Sequence, residues 1–299
     1  MTSLDLCLDS LDGLSVGDAL GAQYFVPGNK PGLVPEGPWQ WTDDTEMACS
    51  LVAELRDNER LDQDWLAAAF AERFEPYRGY GNGAVVLLHQ IRDGASWRDA
   101  APALFDGQGS MGNGAAMRVA PLGAFYAGDS RTAALEALRS AEVTHAHHEA
   151  ILGAVAVAVA AAEAGWARLT ENPPDPDTFL RGVIPYLVDS AVLRGVERAR
   201  RTLGKSTREA AYELGNGSQV LAQDTVPFTL WVAATHLADY PSAVLACVEA
   251  GGDVDTTAAI VGGIVASYTG KAGTPAGTAK AGIPAAWLAN REPLPHWLR

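Results

Sequence analysis

Residues Ala150 to Ala162 are almost entirely apolar and rich in alanine, and no other segment constrains the fold as tightly. Alanine is the best helix former, and a helix that is apolar on every side needs protein neighbours all round it. Glu163 ends the run short of the ~20 residues that a membrane span needs, so the expectation is a buried core helix. Elsewhere apolar residues recur at helical spacing and strand signals are scarce. This pattern predicts helices over 3–22, 44–57, 62–75, 82–92, 96–105, 114–126, 130–142, 147–168, 177–201, 206–214, 224–238, 241–250, 255–268 and 280–289. The breaks carry Gly, Pro, Asn or Asp, as at Pro27-Gly28-Asn29 and Pro173-Pro174. With no repeat and no long polar linker, the chain reads as one all-α domain over 1–299, a compact orthogonal helical bundle around the alanine-rich helix.

The chain is 48% apolar and carries a formal charge of −14. That balance argues against a protein whose main partner is nucleic acid or an anionic membrane. Cys7, Cys49 and Cys247 are far apart in apolar surroundings and read as buried, reduced thiols. The N-terminus has no basic start and no apolar signal region, and the expected location is cytoplasmic.

Two acidic clusters carry the chemistry: Thr42-Asp43-Asp44-Thr45 and Gly251-Gly252-Asp253-Val254-Asp255-Thr256. Each opens an expected helix. A single Asp or Thr suffices to cap a helix, and here carboxylates and hydroxyls come in groups. Asp253 and Asp255, two residues apart at the entry to a helix, can face one point, and Thr256 adds a hydroxyl oxygen. Four carboxylates gathered in one place need a cation, and an all-oxygen donor set suits magnesium, calcium or manganese rather than zinc. In Ser110-Met111-Gly112-Asn113-Gly114 the glycines allow close approach of a ligand, and the helix that follows would offer free N–H groups to an anion. The alternative for this segment is a plain loop with Asn113 as a cap. His145, His147 and His148 fit no common zinc spacing, so one histidine facing a substrate is the preferred reading. Arg78-Gly79-Tyr80-Gly81-Asn82-Gly83 is either an interhelical turn or a mobile substrate loop, in which Tyr80 would stack on a ring.

Five segments in order, Gly17-Asp18-Ala19-Leu20-Gly21, Thr42-Asp43-Asp44-Thr45, Gly112-Asn113-Gly114-Ala115-Ala116-Met117-Arg118 with Pro121-Leu122-Gly123, Thr144-His145, and Gly252-Asp253-Val254-Asp255-Thr256, resemble the ADP-ribosylglycohydrolase family, of the dinitrogenase-reductase-activating glycohydrolase and ADP-ribosyl-acceptor hydrolase type. The resemblance spans nearly the whole chain. It implies an all-α fold with a dinuclear centre of two Mg2+ or Mn2+ ions, held by Thr42, Asp43, Asp44, Asp253, Asp255 and Thr256. It implies that Ser110 to Gly114 hold the diphosphate and ribose of ADP-ribose, that His145 contacts the same ligand, and that the reaction is hydrolysis at the anomeric carbon. Asp43, Asp44 or Asp253 would take the proton of the attacking water. The implied partner is ADP-ribose or an ADP-ribosylated protein or small molecule. One departure stands out: by count, Phe25 occupies the place where many members carry a glutamate, and Glu36 is the nearest acid that could substitute. Val254, between the ligands, is a lesser departure. The lost glutamate keeps two alternatives open, a different N-ribosyl or nucleotide-derived substrate and a non-catalytic ADP-ribose-binding relative. The short segment 26–41 predicts an open acceptor side.

Overall fold

The computed structural model describes residues 1–271 and 280–298. Sixteen α-helices follow one another, and among the described residues extended pairing is limited to isolated bridges. In the first half these are α1 (Ser3–Ala22), α2 (Asp43–Asn58), α3 (Gln63–Arg73), α4 (Asn82–Arg92), α5 (Trp97–Gly107), α6 (Gly114–Met117), α7 (Ala120–Phe125) and α8 (Ser130–Glu142). In the second half they are α9 (His148–Thr170), α10 (Pro176–Val183), α11 (Ala191–Arg201), α12 (Thr207–Leu214), α13 (Ala222–Thr235), α14 (Tyr240–Ala250), α15 (Val254–Thr269) and α16 (Ala285–Asn290).

The alanine-rich run lies within α9, which is 23 residues long. By length and composition α9 could cross a membrane, yet it is mostly buried, packed among α6, α7, α8, α13 and α15. Alanine at most core positions keeps α9 thin, so that Gly123 of α7 sits against the backbone of Ala158, while Gly153 of α9 takes the side chains of Ala222 and Val226.

The closest pairing, however, is between α1 and α15. Gly13, Gly17 and Gly21 recur every four residues on α1 and form one stripe. A Cβ at Gly13 or Gly17 would collide with the backbone of Gly262 or Ala258, and one at Gly21 would sit 2.6 Å from the Cα of Asp255. The helices run antiparallel with their backbones touching. This contact carries Asp18 of α1 to the N-terminus of α15, where the second acidic cluster lies.

Three expected helices are divided or shortened. The one over 114–126 breaks at Arg118–Val119, because Pro121 has no N–H for the Met117 carbonyl and its ring crowds the preceding turn. The one over 177–201 breaks for the same reason at Pro185, where a 3-10 turn (Ile184–Tyr186) follows α10; Ser190 then caps α11. The last begins at Ala285 rather than 280, since Pro284 holds the residue before it in extended backbone. The three cysteines are buried and unpaired.

Candidate metal centre and ligand cavity

Thr42 and Asp253 are the N-cap residues of α2 and α15, yet neither side chain caps its helix. Thr42 turns towards α1. Its hydroxyl lies 2.8 Å from Asp18 Oδ1 and 3.0 Å from Asp44 Oδ2, and its N–H donates to Asp18 Oδ2 at 2.9 Å. Asp18 Oδ2 also accepts the Thr45 N–H at 3.2 Å and the Thr45 hydroxyl at 2.5 Å. Oxygens of Asp18, Asp44 and Asp255 lie within 4.8 Å of one another. Asp253 Oδ2 accepts from Asn113 Nδ2 at 2.7 Å, and the same amide reaches the Thr225 hydroxyl at 3.1 Å.

Burial pushes all five carboxyls upward. Asp18 goes to about 6, its hydrogen bonds from Thr45 and Thr42 opposing the rise. Asp43 goes to about 8 through burial and the neighbouring Asp18 charge. Asp44 is held well above the ordinary range by burial and Asp18, Asp255 by burial and Asp253, and Asp253 is raised by burial. Like charges confined this way must bind either protons or a cation. Asp44 Oδ1 is buried without a hydrogen-bond partner. A buried oxygen with no donor, beside other carboxylates and two threonine hydroxyls, is a donor set for a hard divalent cation.

These acids close one end of a cavity of about 710 Å³, lined at that end by Asp43, Asp44, Asp253, Asp255 and Thr256. Thr42 is half-buried just behind them. The 110–114 loop forms another wall. Its Gly112 N–H is tied to Ser110 Oγ at 3.2 Å and its Asn113 N–H to the Val220 carbonyl at 3.1 Å. Asn113 therefore serves Asp253 and not the start of α6, a helix of only four residues. Met111 and Gly114 line the cavity with Ser110 and Gly112. A Cβ at Gly114 would meet His145 Cε1 at 3.0 Å, so only glycine lets the imidazole reach the loop.

His145 is positioned by a chain that starts at Arg118. Arg118 is fully buried, donating from Nη2 to the Thr144 hydroxyl at 2.8 Å and to the Ser140 carbonyl at 3.0 Å. Thr144 Oγ1 is 2.7 Å from His145 Nδ1. Arg118 fills one lone pair of Thr144 Oγ1, and with the hydroxyl proton directed to Nδ1, its nearest acceptor, the imidazole carries its own proton on Nε2, beside Gly112 and Gly114. Burial and Arg118 push His145 down to about 3, so it faces the cavity as a neutral donor. Burial brings Arg118 itself down to about 9. His147 instead caps α9, and His148 lies against Glu149.

Two expected residues sit elsewhere. Tyr80 is buried edge-on to Phe74, and its hydroxyl donates to Glu46 at 2.5 Å; its neighbours Gly79, Gly81, Asn82 and Gly83 line the cavity while the ring points away. Phe25 and Glu36 are both exposed, and neither they nor the rest of segment 26–41, whose Trp39 and Trp41 are buried in the core, line the cavity. Gly79, Gly81, Asn82, Gly83 and Ala84 line the cavity together with Phe105, an exposed aromatic held at a positive φ of 53°. Asp18, which belongs to the Gly17–Gly21 motif, was not among the expected site residues. The signal available was a charged residue inside an otherwise small and apolar helix segment.

In this all-α fold, aspartate clusters from opposite halves of the chain meet at one cavity. The chain belongs to the ADP-ribosylglycohydrolase family, whose model matches residues 1–299. It is similar to ADP-ribosylhydrolase ARH3 of Homo sapiens, at 30% identity over 77% of this chain and 71% of that one. ARH3 of Gallus gallus is 27% identical over 89% of this chain and 85% of its own. Among solved structures, a chain of an ADP-ribosylglycohydrolase-related protein complex superposes with a TM-score of 0.68 at 25% identity, covering 97% of this chain and 93% of that chain. Together these support a hydrolase of the ADP-ribosylglycohydrolase type.

Proposed function

We propose that this protein is a metal-dependent hydrolase that cleaves the bond between ADP-ribose and an acceptor, either a modified protein side chain or a small conjugate. The observation that carries the reading is the joining of two features in one cavity: an oxygen-rich acidic end with a partnerless carboxylate oxygen on Asp44, and a glycine-rich loop with a neutral histidine donor. A volume of about 710 Å³ suits a ligand of nucleotide-sugar size.

Thr42, Asp43, Asp44, Asp253, Asp255 and Thr256 would hold two Mg2+ or Mn2+ ions. When bound, such ions supply positive charge that orients ribose hydroxyls and acidifies a water. The chain does the rest. His145 Nε2–H donates to a ligand oxygen at the loop, and the 110–114 loop takes the diphosphate and ribose. Asp43 lines the cavity, whereas the Asp253 carboxylate is tied to Asn113, which favours Asp43 as the group that takes the proton of the attacking water. The buried free thiols support a cytoplasmic location.

The test is release of ADP-ribose from ADP-ribosylated protein and small conjugates, with and without Mg2+ or Mn2+, on the wild type and on Asp253→Ala. Metal-dependent release that is lost in the variant is expected. Metal-stimulated binding of ADP-ribose in calorimetry, with no release from any acceptor, would point to the non-catalytic relative. Absence of both would overturn the reading.

A further inference from the structure

The Thr42 hydroxyl has one proton and two carboxylate oxygens within reach, Asp18 Oδ1 at 2.8 Å and Asp44 Oδ2 at 3.0 Å. Only one of them can receive it. Asp18 Oδ2 already accepts three donors from Thr42 and Thr45, which fixes the carboxylate so that Oδ1 faces the hydroxyl. If the proton goes to Asp18, a lone pair on Thr42 Oγ1 and a lone pair on Asp44 Oδ2 converge at 3.0 Å. That contact is repulsive unless a cation, or a proton carried by Asp44 itself, lies between them. If the proton goes to Asp44, its Oδ2 is taken up by the hydroxyl, and Thr42 and Asp44 cannot both turn these oxygens to one metal, Asp44 being left with Oδ1 alone.

We infer that Asp18 is a positioning residue: by accepting the Thr42 proton it turns the Thr42 hydroxyl from a donor to Asp44 into a ligand that points the same way as Asp44. This rests on the metal-dependent reading above. Asp18 acts from behind, as carboxylates do when they orient a ligand from outside the coordination sphere. It is fully buried on α1, does not line the cavity, and is held there by the glycine contact between α1 and α15.

Asp18→Asn should reverse the arrangement. The amide oxygen can keep the three donors on the Oδ2 side. The NH2 group then occupies the Oδ1 side and donates to Thr42 Oγ1, which uses the oxygen's lone pair and sends the Thr42 proton to Asp44.

The experiment is Mn2+ binding by calorimetry and electron paramagnetic resonance on four full-length proteins: wild type, Asp18→Asn, Thr42→Val and the double variant. Metal-free thermal unfolding serves as the folding control. Asp18→Asn is expected to weaken Mn2+ binding roughly 10–100-fold, the size typical of losing such a second group. In the Thr42→Val background the same change should cost less than about 3-fold, since a residue acting through Thr42 has nothing left to act on. Independent, multiplying losses would make Asp18 a ligand in its own right and overturn the inference, as would unchanged binding in Asp18→Asn. Should Asp18→Asn fail to fold, Thr45→Val removes a donor to Asp18 without touching a ligand. It should weaken Mn2+ binding several-fold, with recovery in Thr45→Ser, and unchanged binding would overturn the inference. A wild type that binds no Mn2+ would instead overturn the metal reading itself.

Discussion

Aspartates begin helices in this protein in two opposite ways. Asp62, Asp129, Asp175 and Asp239 turn their side chains onto their own helices and accept backbone N–H groups at the second or third helical position. At α2 and α15 the N-caps Thr42 and Asp253 leave their helices uncapped and direct their oxygens to partners on α1 and in the 110–114 loop. The consequences for charge are opposite. Hydrogen bonds from Thr132 hold the Asp129 carboxyl below its usual range, and those from Thr178 do the same for Asp175. The site carboxyls are all pushed up. The same residue type is stabilised as an anion at the exposed caps Asp129 and Asp175 and destabilised as an anion at the buried site. The first use adds stability. The second spends some of it, as the proposed cation site requires.

The largest effect should come from breaking the second group. Asp44→Asn is expected to lower ADP-ribose release on the order of 10²-fold or more, since removing a ligand exceeds the cost of removing a group behind one. The same change should leave metal-free melting equal or higher, because it removes a buried charge with an unpartnered oxygen. Lower melting together with intact hydrolysis would break the contrast.

Next in size is a pH dependence. Asp18 and Asp43, raised to about 6 and about 8, bind protons in the folded state that the unfolded chain has already lost. Stability from such groups is fully present below their unfolded value near 3.8 and is lost as pH rises through 6 and then 8. Metal-free melting should therefore fall between pH 5 and pH 8 (approximate limits set by those shifts), and the rise on adding Mg2+ should grow over the same interval. Thermal scans across pH with and without Mg2+ check both, and a metal increment independent of pH would contradict the account.

The capping aspartates should give the smallest effects. Asp239→Ala removes the acceptor for the Ser242 N–H at 3.1 Å and should cost about 1 kcal/mol in denaturant unfolding with hydrolysis unchanged. Asp175→Asn should be nearly silent in melting, because asparagine caps as well as aspartate does. The same exchange at Asp44 should be severe. If Asp175→Asn and Asp44→Asn proved alike in both assays, the division into two uses would fail.

Much of this could be read without coordinates. Helical spacing and the alanine-rich run establish the all-α class and the buried core helix, because a helix that is apolar all round has no other stable setting. The two acidic clusters and the glycine-rich loop are local in sequence, and the structure places them on one cavity. Helix ends at Pro121 and Pro185 were less legible, since periodicity continues across a residue whose missing N–H stops the ladder.

What tertiary packing alone decided is direction. Nothing near Tyr80 in sequence says that its hydroxyl turns to Glu46 and its ring to Phe74, away from the cavity. Nor does anything beside Asp18 reveal that its four donors come from residues 24 and 27 positions away. That meeting depends on where α2 enters beside α1, and the approach of α1 to α15 through bare glycine faces then sets Asp18 beside Asp255. Sequence alone determined which oxygens were available for a cation. Only the three-dimensional contact of those helices determined which oxygens face it, because hydrogen-bond direction is set by the partner across the interface and not by neighbours along the chain.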